Sequence, residues 1–260
     1  MSTPQSQIPA IHIIIIGDEI LSGRREDKHF AFVRELLSER NLIPTRVTYA
    51  GDDVHELIAL FKESFAHNNT ITFSFGGIGA TPDDKTRQSV ARALGIELRR
   101  NEKAVQEIET QFGDGAYPIR VRMADIPEGS DLIPNPINRV PGFSIRQHYF
   151  MPGFPQMSWP MMRWVLDTYY PNLQGKQTSV QAIIIEQESE SLWVDWMEAF
   201  EQQFPELKLY SLPHIGEDGL RLIELGCVGE PTIAKIGLAN MVKEATKRQS
   251  KWAYKEPIKN

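Results

Sequence analysis

The first apolar block, Ile11-His12-Ile13-Ile14-Ile15-Ile16, is β-branched and too apolar to alternate. A strand covered on both faces reads this way, and such strands belong to mainly parallel sheets. Gly17-Asp18-Glu19 ends the block and predicts a loop. From Asp27 to Asn41 the apolar residues Phe30, Val33, Leu36 and Leu37 recur at helical spacing, with Asp27 placed to cap. A strand is expected over Thr45 to Ala50. Gly51-Asp52-Asp53 then opens a second helix with Val54, Leu57, Ile58, Phe61 and Phe65 on one face. Thr70 to Phe75 reads as a third strand and Gly76-Gly77-Ile78-Gly79 as a glycine loop. Thr81 as N-cap, Pro82 at the first helical position and acids in the first turn predict a helix from Thr81 to Leu94, stopped by Gly95.

A polar helix is expected from Asn101 to Phe112. Tyr117 to Ser144, rich in Pro and Gly, predicts loops and short edge strands. Gln147 to Met151 reads as a strand, Pro152 to Pro155 as a turn, Met161 to Tyr169 as a short helix, and Pro171 to Lys176 as a linker. Beyond it the order changes. Strands at Val180–Glu186, Leu207–Pro213 and Leu220–Val228 join helices at Ser191–Phe204 and Thr232–Lys247, with a turn at Ile215 to Gly219. This βαββα order suggests a small antiparallel α+β domain. The expected boundaries are 8–172 for a doubly wound α/β domain and 176–250 for the smaller one.

Composition narrows the function classes. With 28 Lys+Arg against 34 Asp+Glu, the net charge of −6 argues against nucleic acid as partner. The run Ile13 to Ile16 is far short of a membrane span, and Met1 to Pro9 carries no basic residue, so neither a membrane nor a secretory signal is expected and a cytoplasmic location is. The single cysteine, Cys227, excludes an internal disulfide and a Cys-cluster metal site.

Ligands of doubly wound sheets bind beyond the carboxyl ends of the strands. The loops expected there are Gly17-Asp18-Glu19, Gly51-Asp52-Asp53, Gly76 to Asp84, and Pro152-Gly153-Phe154-Pro155. Three carry acids. Carboxylates beside a phosphate repel it unless a divalent cation lies between them. Acids with a glycine loop therefore suggest a metal-assisted site for a nucleotide or other phosphorylated ligand. Each acid also has a plain structural role open to it: Asp18 and Glu19 as turn formers, Asp27 and Asp52-Asp53 as caps, Asp83 and Asp84 as partners of a helix dipole.

Three segments together, Gly17-Asp18-Glu19-Ile20-Leu21-Ser22-Gly23, Gly76-Gly77-Ile78-Gly79-Ala80-Thr81-Pro82-Asp83-Asp84-Lys85-Thr86 and Met151-Pro152-Gly153-Phe154-Pro155, resemble the molybdopterin-binding domain family (MoaB/MogA-like). Within the family the chain looks like the N-terminal part of CinA, the competence/damage-inducible protein; Lys176 to Lys247 is similar to the small middle domain of that branch. The resemblance implies a three-layer α/β/α sandwich and a homo-oligomer, a homodimer first and a trimer second. Across the family it implies either binding of molybdopterin or metal-dependent hydrolysis of nucleotide pyrophosphates such as ADP-ribose. Carried onto this sequence, Asp18 and Asp84 would hold a divalent metal (Mg, Mn or Co), and Asp52 would orient water or the ligand ribose. Gly76, Gly77, Gly79 and Thr81 would hold phosphate, with Gly17, Glu19, Asp27, Asp83, Thr86, Pro152 and Gly153 completing the ligand site. Phe75 replaces a small hydroxyl residue of the family pattern, Ala80 a proline and His29 an asparagine. The reading opposed to an enzyme is a pterin- or nucleotide-binding protein without turnover, or an oligomeric interaction module, and Phe75 is its support.

Overall fold

The computed structural model describes residues 8–215 and 219–255. The chain divides into two compact units, residues 1–175 and 176–260. In the first, strands β1 (Ala10–Ile16), β2 (Arg46–Ala50), β3 (Thr70–Phe75), β6 (Asp131–Ile133), β7 (Gly142–Ile145) and β8 (His148–Met151) build one sheet in the order β2-β1-β3-β8-β7-β6. The first four positions run parallel and the last two are antiparallel additions. A small pair, β4 (Leu98–Arg100) with β5 (Asp125–Pro127), stands apart from it.

The two-sided burial expected of the first strand is present. Ile11, Ile13 and Ile15 pack on one face with Val33, Leu36 and Leu37 of α2 (His29–Ser38) and with Met161, Met162, Val165 and Leu166 of α6 (Pro155–Tyr169). Ile14 and Ile16 pack on the other with Leu57 and Phe61 of α3 (Val54–Ala66) and Val90 of α4 (Thr86–Leu94). Each such side chain contributes roughly 1.5–3 kcal/mol relative to exposure. The result is a three-layer α/β/α sandwich. Helix α5 (Glu102–Phe112), capped by Asn101, gathers a minor cluster with Ala116, Val121 and Ala124.

Three expectations need correction. Asp18–Leu21 is not a loop but one helical turn, α1. The helix expected from Thr81 starts only at Thr86, because residues 81–84 fold on themselves. The Asp84 carboxylate accepts from the Thr81 N–H (2.9 Å) and hydroxyl, and the Asp84 N–H donates back to the Thr81 carbonyl (3.1 Å). Local bonds of this kind compete with a helix. Helix α6 starts six residues before Met161. Pro155 occupies its first position, where no N–H is needed, and Pro160 inside it masks the pattern. Met161 and Met162 are fully buried in the unit's own core, and Trp159 stacks on Phe32 at 4.5 Å.

The second unit is a four-stranded antiparallel sheet, β9 (Ser179–Glu186), β10 (Lys208–Ile215), β11 (Arg221–Gly229) and β12 (Trp252–Tyr254), in the order β10-β11-β9-β12. Helices α7 (Val194–Gln203) and α8 (Pro231–Lys247) contribute Phe200, Ala234, Met241 and Ala245 to its core. The helix expected from Ser191 opens instead as a 3-10 turn, Glu190–Trp193. Strands β4 and β12 have no counterpart in the sequence reading. Cys227 is fully buried, and burial pushes its thiol up to about 11. Of the turn expected from Ile215 to Gly219, Gly216 to Asp218 lie outside the described residues. Among the described residues no helix is long and apolar enough to cross a membrane.

Candidate functional site

The loops at the carboxyl ends of β1, β2, β3 and β8 converge on one pocket of about 400 Å³. Gly17, Glu19, Asp52, Gly76, Gly77, Gly79, Thr81, Asp83, Asp84, Pro152 and Gly153 line it. The loop from Gly76 to Gly79 owes its path to glycine. Gly76 has φ 107, and a Cβ there would lie 2.2 Å from the Ile16 carbonyl oxygen. Gly77 has φ 68, and a Cβ there would lie 2.3 Å from the Thr86 hydroxyl. Thr86 is fully buried behind the loop. Its hydroxyl donates to the Gly76 carbonyl (3.0 Å) and its N–H to the Gly77 carbonyl (2.9 Å). Held in this way, the loop leaves the N–H groups of Gly77, Ile78, Gly79 and Ala80 without a hydrogen-bond partner among the described residues. Four successive free donors along a pocket wall suit an anion.

The acids differ in how they are held. The Asp18 N–H donates to the Asp52 carboxylate (3.0 Å) and the Asp52 N–H to the Asp18 carboxylate (3.2 Å), which clamps the ends of β1 and β2 together. Asp52 lines the pocket and Asp18 does not. Burial, followed by repulsion from Asp18, Glu19 and Asp83, holds the Asp52 carboxyl above the usual range, although the Asp18 N–H works against it. The Thr81 hydroxyl pulls Asp83 below that range. Asp53 is the cap of α3, accepting from the N–H groups of His55 and Glu56. Asp27 accepts from the N–H groups of His29 (2.8 Å) and Phe30 (3.2 Å) and from the Tyr49 hydroxyl (2.8 Å). Lys28, not Asp27, holds the cap position of α2, and Asp27 ties down the first turn from one residue earlier without lining the pocket.

Four features had no sequence signal or a misleading one. Arg87 sits among charged neighbours that suggest a solvated face, yet it is buried and its guanidinium donates to the Gly79 carbonyl. Phe75 does not reach the pocket. Its ring is fully buried and stacks on His29 at 4.6 Å, while His29 Nε2 lies 3.2 Å from the Gly153 carbonyl. Phe75 and His29 thus support each other beneath the Gly153 rim. The far wall is apolar, from Phe112, Met123, Val140 and Met157. Next to it the buried Asn135 donates to Asn138 (2.7 Å) and to the Val140 carbonyl (3.0 Å). These residues come from the Pro/Gly-rich stretch and its flanks, where no periodicity marks a wall. Arg25 is the one cation along the pocket among the described residues; it lies 3.8 Å from Glu19.

The donor set tests the divalent metal. Among the described residues no three His, Cys, Asp or Glu side chains come together as a cation site. The Asp84 carboxylate already serves Thr81, and that of Asp18 serves Asp52. The protein alone forms no cage. The set suits only a cation of the kind held by one or two carboxylates with water and ligand oxygens completing its shell.

Residues 12–173 match the family described as "Probable molybdopterin binding domain". A CinA-like protein of Citrifermentans bemidjiense is 31% identical over 173 residues, covering 64% of this chain and 41% of its own length. A protein of Pyrococcus furiosus is 29% identical over 216 residues, covering 77% of this chain and 84% of its own length. The chain thus spans only about two fifths of the Citrifermentans relative. The crystal structure of CinA from Thermoplasma acidophilum, described as of unknown function, superposes with a TM-score of 0.54 at 28% identity over 60% of this chain and 96% of that one. The chain belongs to the molybdopterin-binding domain family and is closely related to CinA-like proteins.

Proposed function

We propose that the pocket binds a phosphate-bearing nucleotide or a pterin of the molybdopterin type. The observation that carries this reading is the run of free N–H groups from Gly77 to Ala80 beside an apolar wall. The donors suit the phosphate, and the Phe112–Met123–Val140–Met157 side suits a flat ring. Asn135 and Asn138 bond to each other and to Ile137, Val140 and Met157, and so hold the shape of that wall. Isothermal titration with AMP, ADP-ribose and a reduced pterin phosphate tests it. Saturable binding of one of them that Gly77→Val abolishes is expected. Equal binding by wild type and Gly77→Val overturns the assignment.

Metal-dependent cleavage of a nucleotide pyrophosphate is the second reading. It is favoured by the crowding of Asp18, Glu19, Asp52 and Asp83: burial first, then repulsion from the other three acids, raises Asp52, and a cation would relieve the repulsion. Asp18 and Asp84 are the proposed holders, with ligand phosphate completing the shell, and Asp52 would orient the attacking water. When bound, the cation would acidify that water and offset charge on the phosphoryl oxygens. Mass spectrometry of ADP-ribose incubated with protein and Mg²⁺, Mn²⁺ or Co²⁺ separates the readings. AMP and ribose phosphate as products support cleavage. Unchanged ADP-ribose alongside measurable binding supports a binding protein.

A further inference from the structure

Arg87, near the start of α4, is only 4% exposed. Its guanidinium bonds no carboxylate. Nη2 donates to the Gly79 carbonyl (2.5 Å), Nη1 donates to the carbonyls of Arg122 and Asp125 (2.9 Å to the latter), and Nε has no partner. Two carboxylates lie near enough to favour its charge, those of Asp84 and Asp125. Both are bonded elsewhere, Asp84 to Thr81 and Asp125 to Arg100. A guanidinium withdrawn from water without a bonded counter-charge is costly, and carbonyl dipoles offset only part of that cost.

Its position says where the rest can come from. The Gly79 carbonyl belongs to the loop whose free N–H groups line the pocket, and Arg122 and Asp125 flank Met123 of the apolar wall. Arg87 therefore ties both ends of the pocket together and places a fixed positive charge behind the loop. Glu19, Asp52, Asp83 and Asp84 line the pocket against, among the described residues, the single Arg25. An anionic ligand entering there meets repulsion, and the loop donors together with the buried charge behind them supply the opposing attraction.

We infer that Arg87 is a positioning residue that sets ligand class: its buried charge makes the Gly76–Gly79 loop select a ligand with an anionic group over the same ligand without one. This rests on the phosphate-bearing-ligand reading. The experiment compares AMP with adenosine by isothermal titration to wild type, Arg87→Met and Arg87→Lys. Wild type should prefer AMP by about tenfold or more, as expected for a charge-assisted contact. Arg87→Met should bring the two affinities together by weakening AMP while adenosine stays near its wild-type value. Arg87→Lys keeps the charge but loses the fork that spans three carbonyls. It should melt at a lower temperature yet keep most of the preference. A purely structural role would weaken both ligands alike in Arg87→Met, and that result overturns the inference. Should Arg87→Met fail to fold, Arg87→Lys decides alone: a folded Lys variant that has lost the preference overturns the inference, and one that keeps it supports it. Wild type binding both ligands equally overturns the inference and leaves the nucleotide reading standing; wild type binding neither overturns both.

Discussion

At the amino edge of the six-stranded sheet, Ser64, Thr72 and His148 are buried and bonded among themselves. The Ser64 hydroxyl donates to His148 Nε2 (2.8 Å), and His148 Nδ1–H donates to the Arg146 carbonyl (2.9 Å). At the carboxyl edge, free N–H groups, crowded acids and a buried arginine without a bonded counter-charge surround a pocket. The same sheet positions both sets. Polar groups that satisfy one another fix the fold, and those left unsatisfied have bonding capacity to offer a ligand. The amino edge should therefore control stability and the carboxyl edge binding, and each variant below is chosen to separate the two.

The largest effect is expected from acid at the amino edge. Burial first, then repulsion from His12 and Arg146, drives His148 down from 6.5 to about 4 in the folded protein. The unfolded chain thus takes up this proton at higher pH than the folded one. Stability from this group is complete above about pH 6.5 and is lost as pH falls toward about 4, a loss of roughly 3 kcal/mol at most. His29, lowered by burial against the pull of Gly153 and Asp27, adds in the same direction. Urea unfolding from neutral pH to about pH 4 should show this slope in wild type and a shallower one in His148→Gln. A slope unchanged by the substitution would place the acid sensitivity elsewhere.

Next comes the loop itself. Gly76→Ala puts a methyl group against the Ile16 carbonyl in a backbone conformation that only glycine holds easily. Its expected cost is about 1–3 kcal/mol of stability, with ligand binding lost even where the protein remains folded. Gly95→Ala is the contrast. Gly95 also has a positive φ, but a Cβ there meets nothing within 4 Å, so it should cost about 1 kcal/mol and leave binding intact. Equal binding by the two variants would remove the loop from the site.

The comparison also explains which features were legible in the sequence. The β-branched block Ile11 to Ile16 and the helical spacing of Leu57 and Phe61 reflect burial, which repeats along the chain and leaves a pattern. The glycine loop is legible because backbone conformation constrains residue type. The turn over residues 81–84 is not legible because Thr81, Pro82 and two acids spell a helix start equally well, and only the Asp84-to-Thr81 bonds decide between them. The burial of Arg87 is not legible because its partners are carbonyls from residues 79, 122 and 125, which no local pattern announces. The apolar wall comes from distant segments with no period to join them.

Asp84→Asn and Asp18→Asn test the metal within the second reading. An amide oxygen still accepts from the Thr81 N–H, or from that of Asp52, so each should cost only about 0.5–1.5 kcal/mol. Each should nevertheless abolish any stimulation by Mg²⁺, Mn²⁺ or Co²⁺, because a hard cation needs the carboxylate. Asp114→Asn, in the 3-10 turn after α5, is the control. Stimulation that survives in both site variants removes these two acids from the metal.

The smallest stability effect has the opposite sign. Asp52 is raised by burial and by three neighbouring acids, so its charge destabilises the folded protein at neutral pH. Above the raised folded value the group is ionised in both states, and the unfolded chain holds that charge at lower cost. Asp52→Asn removes the charge while its amide oxygen keeps accepting from the Asp18 N–H. The side chain is half-buried at the edge of the pocket, where the solvent that remains screens part of the repulsion, so a gain of only a few tenths of a kcal/mol is expected. The gain should appear at neutral pH and vanish once acid protonates the native carboxyl. If the crowded acids exist to receive a cation with its ligand, the same variant should lose metal-dependent binding or turnover. A more stable and less active Asp52→Asn would mark the carboxyl edge as built for a ligand at the expense of the fold. A variant that is less stable at neutral pH would instead show that the reciprocal Asp18–Asp52 clamp outweighs the repulsion and that the pair joins β1 to β2.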